Sequence, residues 1–123
     1  MMHWLMVAVG GAVGAVLRHG GYRLALRLDW PASLTTLGIN VLGSLLMGML
    51  YVLAVERAQL SAPLQNLLAV GLLGAFTTYS SYSLDALKLL QQGQWLAAFG
   101  YLFGTMLLCL LAVWLGASLL RHW

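Results

Sequence analysis

The sequence predicts an all-α integral membrane protein with four transmembrane helices per subunit, the third broken in mid-membrane. Three observations carry that expectation. Apolar residues make up 62% of the chain and charged residues only 7%, whereas a soluble domain carries about 25% charged residues to cover its wet surface. The apolar residues fall into long runs separated by turn chemistry, at Asp29-Trp-Pro-Ala-Ser33, Ser61-Ala-Pro63 and Gln91-Gln-Gly-Gln94. Finally, 123 residues make one domain with room for four crossings of about 20 residues each. So short a chain cannot enclose a sizeable pore by itself, so oligomerisation is expected.

The first span covers about residues 4–26. Gly10 and Gly14 stand four apart, and Gly11 with Ala15 repeats the spacing, so a partner helix can approach closely. A dinucleotide loop would need a preceding strand and an acidic residue about 20 positions on; Asp29 is too near and the context is apolar. Arg18 lies two-thirds of the way along. It reads either as a snorkelling side chain, continued by Arg23 and Arg27, or as a cation at a pore mouth that draws anions.

The second span covers about 34–55. Pro31 suits the first helical turn and Trp30 the interfacial belt. Asn40 places an amide among Gly38, Gly43 and Ser44; it is either a hydrogen-bonding link between helices or a donor facing an anion. Glu56 and Arg57 close the span at the interface.

The third span, about 64–90, is longer than one straight crossing requires. At its centre Gly71-Leu-Leu-Gly74-Ala-Phe-Thr77-Thr78-Tyr79-Ser80-Ser81-Tyr82-Ser83 interleaves two glycines and five Ser/Thr hydroxyls with aromatics. Hydrocarbon supplies no water, so such groups must pair internally or line a wet cavity. A break at Gly74–Thr78 is therefore expected, as in transporters whose discontinuous helices build an ion site. Tyr79, Tyr82 and Ser83 should share a face, with Asp85 and Lys88 near the exit. Back-bonding of Ser and Thr to the preceding turn is the bland alternative.

The fourth span covers about 95–120. Gly100 and Gly104 repeat the close-packing spacing, and Thr105 and Cys109 share a face. The lone Cys109 can form no internal disulfide. With four spans, Arg57 and Arg121 lie on the face of the termini and Arg23, Arg27 and Lys88 on the other. A clear topology signal needs an excess of Lys and Arg on one side. The near balance suits a chain that inserts both ways and pairs with its inverted copy.

Several function classes lose support. The net charge is +3 with the basic residues scattered singly, which argues against nucleic acid and headgroup binding. No catalytic constellation is visible, so no enzyme is expected, and His3, His19 and His122 lack metal-ligand spacing. The first apolar stretch has no basic leader and runs into further spans, so it reads as retained. A four-span cation/proton antiporter of the small multidrug resistance kind would need a membrane-embedded carboxylate, yet Asp29, Glu56 and Asp85 lie near span ends. An unselective holin-like oligomer would leave Asn40 and the hydroxyl-rich break unexplained.

Three blocks, Gly10-Gly-Ala-Val-Gly-Ala-Val-Leu-Arg18, Gly38-Ile-Asn40-Val-Leu-Gly43-Ser44 and Gly71 to Ser83, together resemble the CrcB/Fluc family of small fluoride channels, in its order and spacing. That resemblance implies a dual-topology, antiparallel homodimer in the bacterial inner membrane, with two fluoride pores lined by both subunits. It also implies a structural sodium ion (Na+) at the dimer centre, held by backbone carbonyls of Gly74 and Thr77. Asn40 would be the pore amide and Arg18 a vestibule cation. Tyr79 and Tyr82 stand where the family usually has phenylalanines with ring edges facing the pore. Ser80, Ser83, Thr105 and Cys109 would belong to a hydroxyl-lined track, with Cys109 a weaker donor than the usual Ser. Fluoride is small and tightly hydrated, so such a ladder of modest donors suits conduction better than one deep trap.

Overall fold

The computed structural model describes all 123 residues, Met1–Trp123, and all of its regular secondary structure is helical. The first helix is Met2–Arg27. The second spans Ala32–Glu56, its final turn Val52–Glu56 widening to π-helical geometry. The third segment runs helically over 62–76, with a π-helical stretch at Asn66–Leu73, opens at Thr77 and Thr78, and resumes as Tyr79–Gln91. Trp95–Arg121 is the last helix.

The boundaries follow local chemistry. Pro31 is the extended residue ahead of the second helix, and Pro63 sits in the first turn of the third segment, where its missing N–H costs nothing. Gly93, at φ 76°, supplies the left-handed residue after Gln91. Arg27, Lys88 and Arg121 lie in last turns, where a cation meets the negative end of the helix dipole.

Three helical segments, Ala32–Glu56, Ala62–Gln91 and Trp95–Arg121, are long and apolar enough to cross a bilayer. The first helix has the length, 26 residues, but His3, Arg18, His19, Arg23 and Arg27 dilute its apolar character. The surface agrees with a multi-pass membrane protein. Only 20 of 123 residues are buried, and large apolar side chains such as Leu96, Leu110 and Trp114 point outward. An apolar exterior this extensive is one that lipid or a second chain covers.

Two helix pairs build the interior, and glycines set both. A methyl group on Gly10 would overlap the Leu67 carbonyl oxygen, and one on Gly14 would overlap that of Leu72. A methyl group on Gly71 would in turn come within 2.8 Å of the Val7 carbonyl oxygen. The GxxxG spacing of the first span thus packs it against the first half of the third segment. In the second pair, Gly48 meets the Val113 backbone and Gly116 meets Leu45. Gly100 and Gly104 differ: a methyl group at either would meet no other helix of the chain within 4 Å. Their close-packing spacing is not used inside one chain because the second helix crosses the last one farther on, at Gly116.

One end is tied by charge. Arg121 makes a bidentate bond to Glu56 at 2.7–3.0 Å, and Arg57 donates to the carbonyls of Leu120 and Trp123. The hydrogen bond from Arg121 holds the Glu56 carboxyl below its ordinary range.

Candidate functional site

The third segment breaks directly after its last helical residues, Gly74–Phe76, at Thr77 and Thr78. Gly74 itself is helical, at φ −60° and ψ −38°; Thr77 and Thr78 are the extended residues, at φ −79°, ψ 157° and φ −148°, ψ 120°. Opening a helix exposes backbone groups that hydrocarbon cannot satisfy. Asn40 answers that need from the second helix. Its Nδ2 donates to the Thr78 carbonyl at 2.9 Å, and its Oδ1 accepts from the Thr78 N–H at 2.8 Å. The side-chain amide therefore replaces a helical neighbour for Thr78, donor and acceptor together. One Nδ2 hydrogen is left over for another partner.

Thr78 also starts the next helix. Its hydroxyl accepts from the Ser81 N–H at 3.2 Å, an N-cap, and contacts the Ser80 hydroxyl at 3.3 Å. Thr77 turns its hydroxyl back to the Leu73 carbonyl at 2.9 Å and fits its methyl into the space that Gly43 leaves. The Thr77 carbonyl, by contrast, accepts no backbone hydrogen bond.

Beside the break lies an open cavity of about 370 Å³. Asn40, Thr77, Tyr79, Tyr82, Thr105 and Cys109, all expected at a site, line it together. Thr78, from the expected break, Gly43, Ser44, Met47, Met106 and Val113 complete it; Ser44 had the signal, four residues after Asn40 on the same helical face. The Thr105 hydroxyl is buried in this wall with no hydrogen-bond partner. Tyr82 is buried and donates to the Leu102 carbonyl at 2.5 Å, while Tyr79 is 78% exposed and meets Tyr82 edge-on, centroids 5.4 Å apart.

Other expected residues lie elsewhere. Ser80 and Ser83 are exposed and outside the cavity wall. Ser83 donates to the Tyr79 carbonyl at 3.1 Å, the back-bond of the bland alternative. Gly74 is exposed, and a methyl group built on it would meet only the Ala69 carbonyl oxygen, at 3.6 Å. Arg18 is half-buried on the first helix and belongs to no wall of this cavity. Asp85, expected near an exit, is buried and accepts from the Tyr101 hydroxyl at 3.1 Å. Tyr22 and Thr36 pair nearby at 2.6 Å.

The wall thus sets neutral donors and ring edges among apolar side chains such as Met47, Met106 and Val113, with no ionised side chain. The profile of the family described as "CrcB-like protein, Camphor Resistance (CrcB)" matches residues 5–117. The chain belongs to the CrcB family. Relatives named "Fluoride-specific ion channel FluC" match along nearly their whole length. The one from Stutzerimonas stutzeri (strain A1501) is 45% identical over 119 residues, 94% of each chain. Those from Shewanella loihica (strain ATCC BAA-1088 / PV-4) and Chloroflexus aurantiacus (strain ATCC 29366 / DSM 635 / J-10-fl) are each 42% identical, over 97% and 98% of this chain and 96% and 97% of theirs. The matched stretch of the CrcB chain includes Asn40, the break and every residue of the cavity wall.

Proposed function

We propose that this protein is a fluoride-selective channel that lets cytoplasmic fluoride leave passively, down its electrochemical gradient. The observation that carries the reading is the neutral, donor-lined cavity beside a helix break braced by Asn40, in a chain similar throughout to proteins named as fluoride channels. A small anion shedding part of its water needs donors in place of that water, and an uncharged wall holds it weakly enough to let it go. The spare Asn40 N–H, the Thr105 hydroxyl and the edges of the Tyr79 and Tyr82 rings, which carry partial positive charge, are the groups this wall offers. Cys109 adds a weak thiol donor. Hydrogen fluoride, a weak acid, enters cells neutral and ionises there, so a passive leak for the ion is enough to lower the internal concentration.

The finer architecture in this proposal is an antiparallel, dual-topology homodimer of four-span subunits in a bacterial inner membrane, with two pores. Its support is the near balance of basic residues on the two faces and the open, unpartnered surfaces at Gly38, Gly100 and Gly104. Arg18 stands in a vestibule, where it draws anions, and Ser80 and Ser83 lie farther along the track. Sodium at the dimer centre fits the donor set. A hard cation takes backbone carbonyls, and the Thr77 carbonyl is without a backbone donor. The carbonyls of Gly74 and Thr77 from both subunits would hold the ion, whose part is to neutralise oxygens that the break leaves bare.

The antiporter reading is weaker. Its carboxylate would have to be Asp85, which is engaged by Tyr101 and lies outside the cavity wall. Expression in a bacterium lacking its own fluoride exporter tests the proposal. Growth should be restored in millimolar fluoride and unchanged with cationic dyes; rescue from dyes alone would favour the antiporter.

A further inference from the structure

The cavity wall holds two phenolic hydroxyls in opposite situations, and nothing in the sequence distinguishes them. Tyr82 is buried, and its hydroxyl ends in a 2.5 Å bond to the carbonyl of Leu102, about two turns into the last helix. A phenol O–H has one hydrogen to give, and here it is given to the backbone. The ring is also fixed on both sides, by Tyr79 edge-on at 5.4 Å and by Tyr101 at 5.3 Å. Tyr79 is the reverse. It lines the same cavity, is 78% exposed and has no hydrogen-bond partner for its hydroxyl within the chain.

We infer that the two tyrosines divide binding from positioning. The Tyr79 hydroxyl is an additional anion donor in the pathway, whereas the Tyr82 hydroxyl is a tether that fixes its ring edge and joins the third segment to the last helix. Tyr82 is a positioning residue: the anion meets its ring and never its oxygen. This rests on the cavity being the fluoride pathway. It follows that the usual expectation for a tyrosine in a pore, one more hydroxyl ligand, holds for one of the pair only.

One further residue of the wall depends on the tether. Thr105, also buried there, has an unpartnered hydroxyl, and it stands three residues past Leu102 on the same helix. The tether at Leu102 therefore fixes the depth at which this hydroxyl faces the rings. Loosening the tether disturbs two donors' alignment at once without removing either, which is a defect of throughput rather than of affinity.

The test uses the full chain reconstituted in liposomes, with initial fluoride efflux measured against fluoride concentration for the wild type, Tyr79→Phe and Tyr82→Phe, and melting followed in detergent. Removing one charge-assisted hydrogen bond to the ion should raise the half-saturating concentration of Tyr79→Phe by about tenfold or more, with its melting temperature unchanged. Tyr82→Phe should keep the wild-type half-saturation and lose maximal rate and melting temperature. Conservative rescue is available in Tyr82→Trp, whose indole N–H can still donate, and partial recovery of melting temperature supports the tether. Equal effects of both substitutions on half-saturation, or a Tyr82→Phe protein with wild-type melting, would overturn the division. Absence of fluoride efflux from the wild type, with folded protein in the liposomes, would instead overturn the pathway reading and the inference with it.

Discussion

Replacing Asn40 with alanine removes the brace of the break, and its consequence can be worked from two distances. Asn40 donates to the Thr78 carbonyl at 2.9 Å and accepts from the Thr78 N–H at 2.8 Å. Thr78 is 6% exposed, so alanine orphans one buried donor and one buried acceptor. Each unsatisfied group costs about 1–3 kcal/mol, so the pair amounts to about 2–6 kcal/mol if both stay dry. The neighbouring cavity of about 370 Å³ has room for water beside Thr78. Water would satisfy part of the loss, which places the expected cost near ~2 kcal/mol. Asn40→Asp separates the two bonds. Its carboxylate still accepts from the N–H, but it turns an acceptor toward the carbonyl and sets a negative charge in the path of an anion. Melting should fall in both variants, followed through the intrinsic fluorescence of the five tryptophans. Fluoride flux should fall further in Asn40→Asp than in Asn40→Ala. An Asn40→Ala protein with wild-type melting would refute the reasoning, because the break would then be held open by something other than this amide.

Other expectations follow from the same packing. Gly116→Ala drives a methyl into the Leu45 backbone, whereas Gly104→Ala meets nothing within 4 Å; the first should lower stability by about 1–3 kcal/mol and the second should leave the protomer's melting unchanged. Sodium removal, by dialysis into N-methylglucamine, should reduce fluoride flux and return it on re-addition of sodium but not of the organic cation. The Glu56 carboxyl is held low by Arg121. Its stabilising contribution is thus present above the ordinary carboxylate pKa and disappears as pH falls through the depressed value. Melting temperatures of the wild type and Glu56→Gln should differ slightly at neutral pH and converge in strong acid, read by a pH series in detergent.

Much of the scaffold was legible because its causes are local. Apolar runs of span length, glycines four apart and proline at helix starts each predict something within a turn or two of themselves, and the close approach at Gly10 and Gly14, though not its partner, follows from spacing. The break was legible as an event and to within a turn, at Gly74–Thr78, since two glycines and five hydroxyls in one apolar window have few other uses; which residues of that turn open was not. Gly74 stays helical, and the extended pair is Thr77–Thr78, because the residue that satisfies the opened backbone is Asn40, 38 positions earlier. No local reading sees that partner. The same limit hid the difference between Tyr79 and Tyr82, set by a carbonyl 20 residues away, and the burial of Asp85, which depends on Tyr101. Gly100 and Gly104 show a related limit: the spacing announces a close approach but not its partner, and no other helix of the same chain meets a methyl group built at either.

The most direct test of the central claim is fluoride efflux from liposomes loaded with potassium fluoride and carrying the purified protein, triggered with valinomycin, beside liposomes loaded with potassium chloride. The account predicts rapid loss of fluoride and a chloride signal no larger than that of protein-free liposomes. Retention of fluoride by liposomes shown to hold folded protein, or equal loss of both anions, would contradict it.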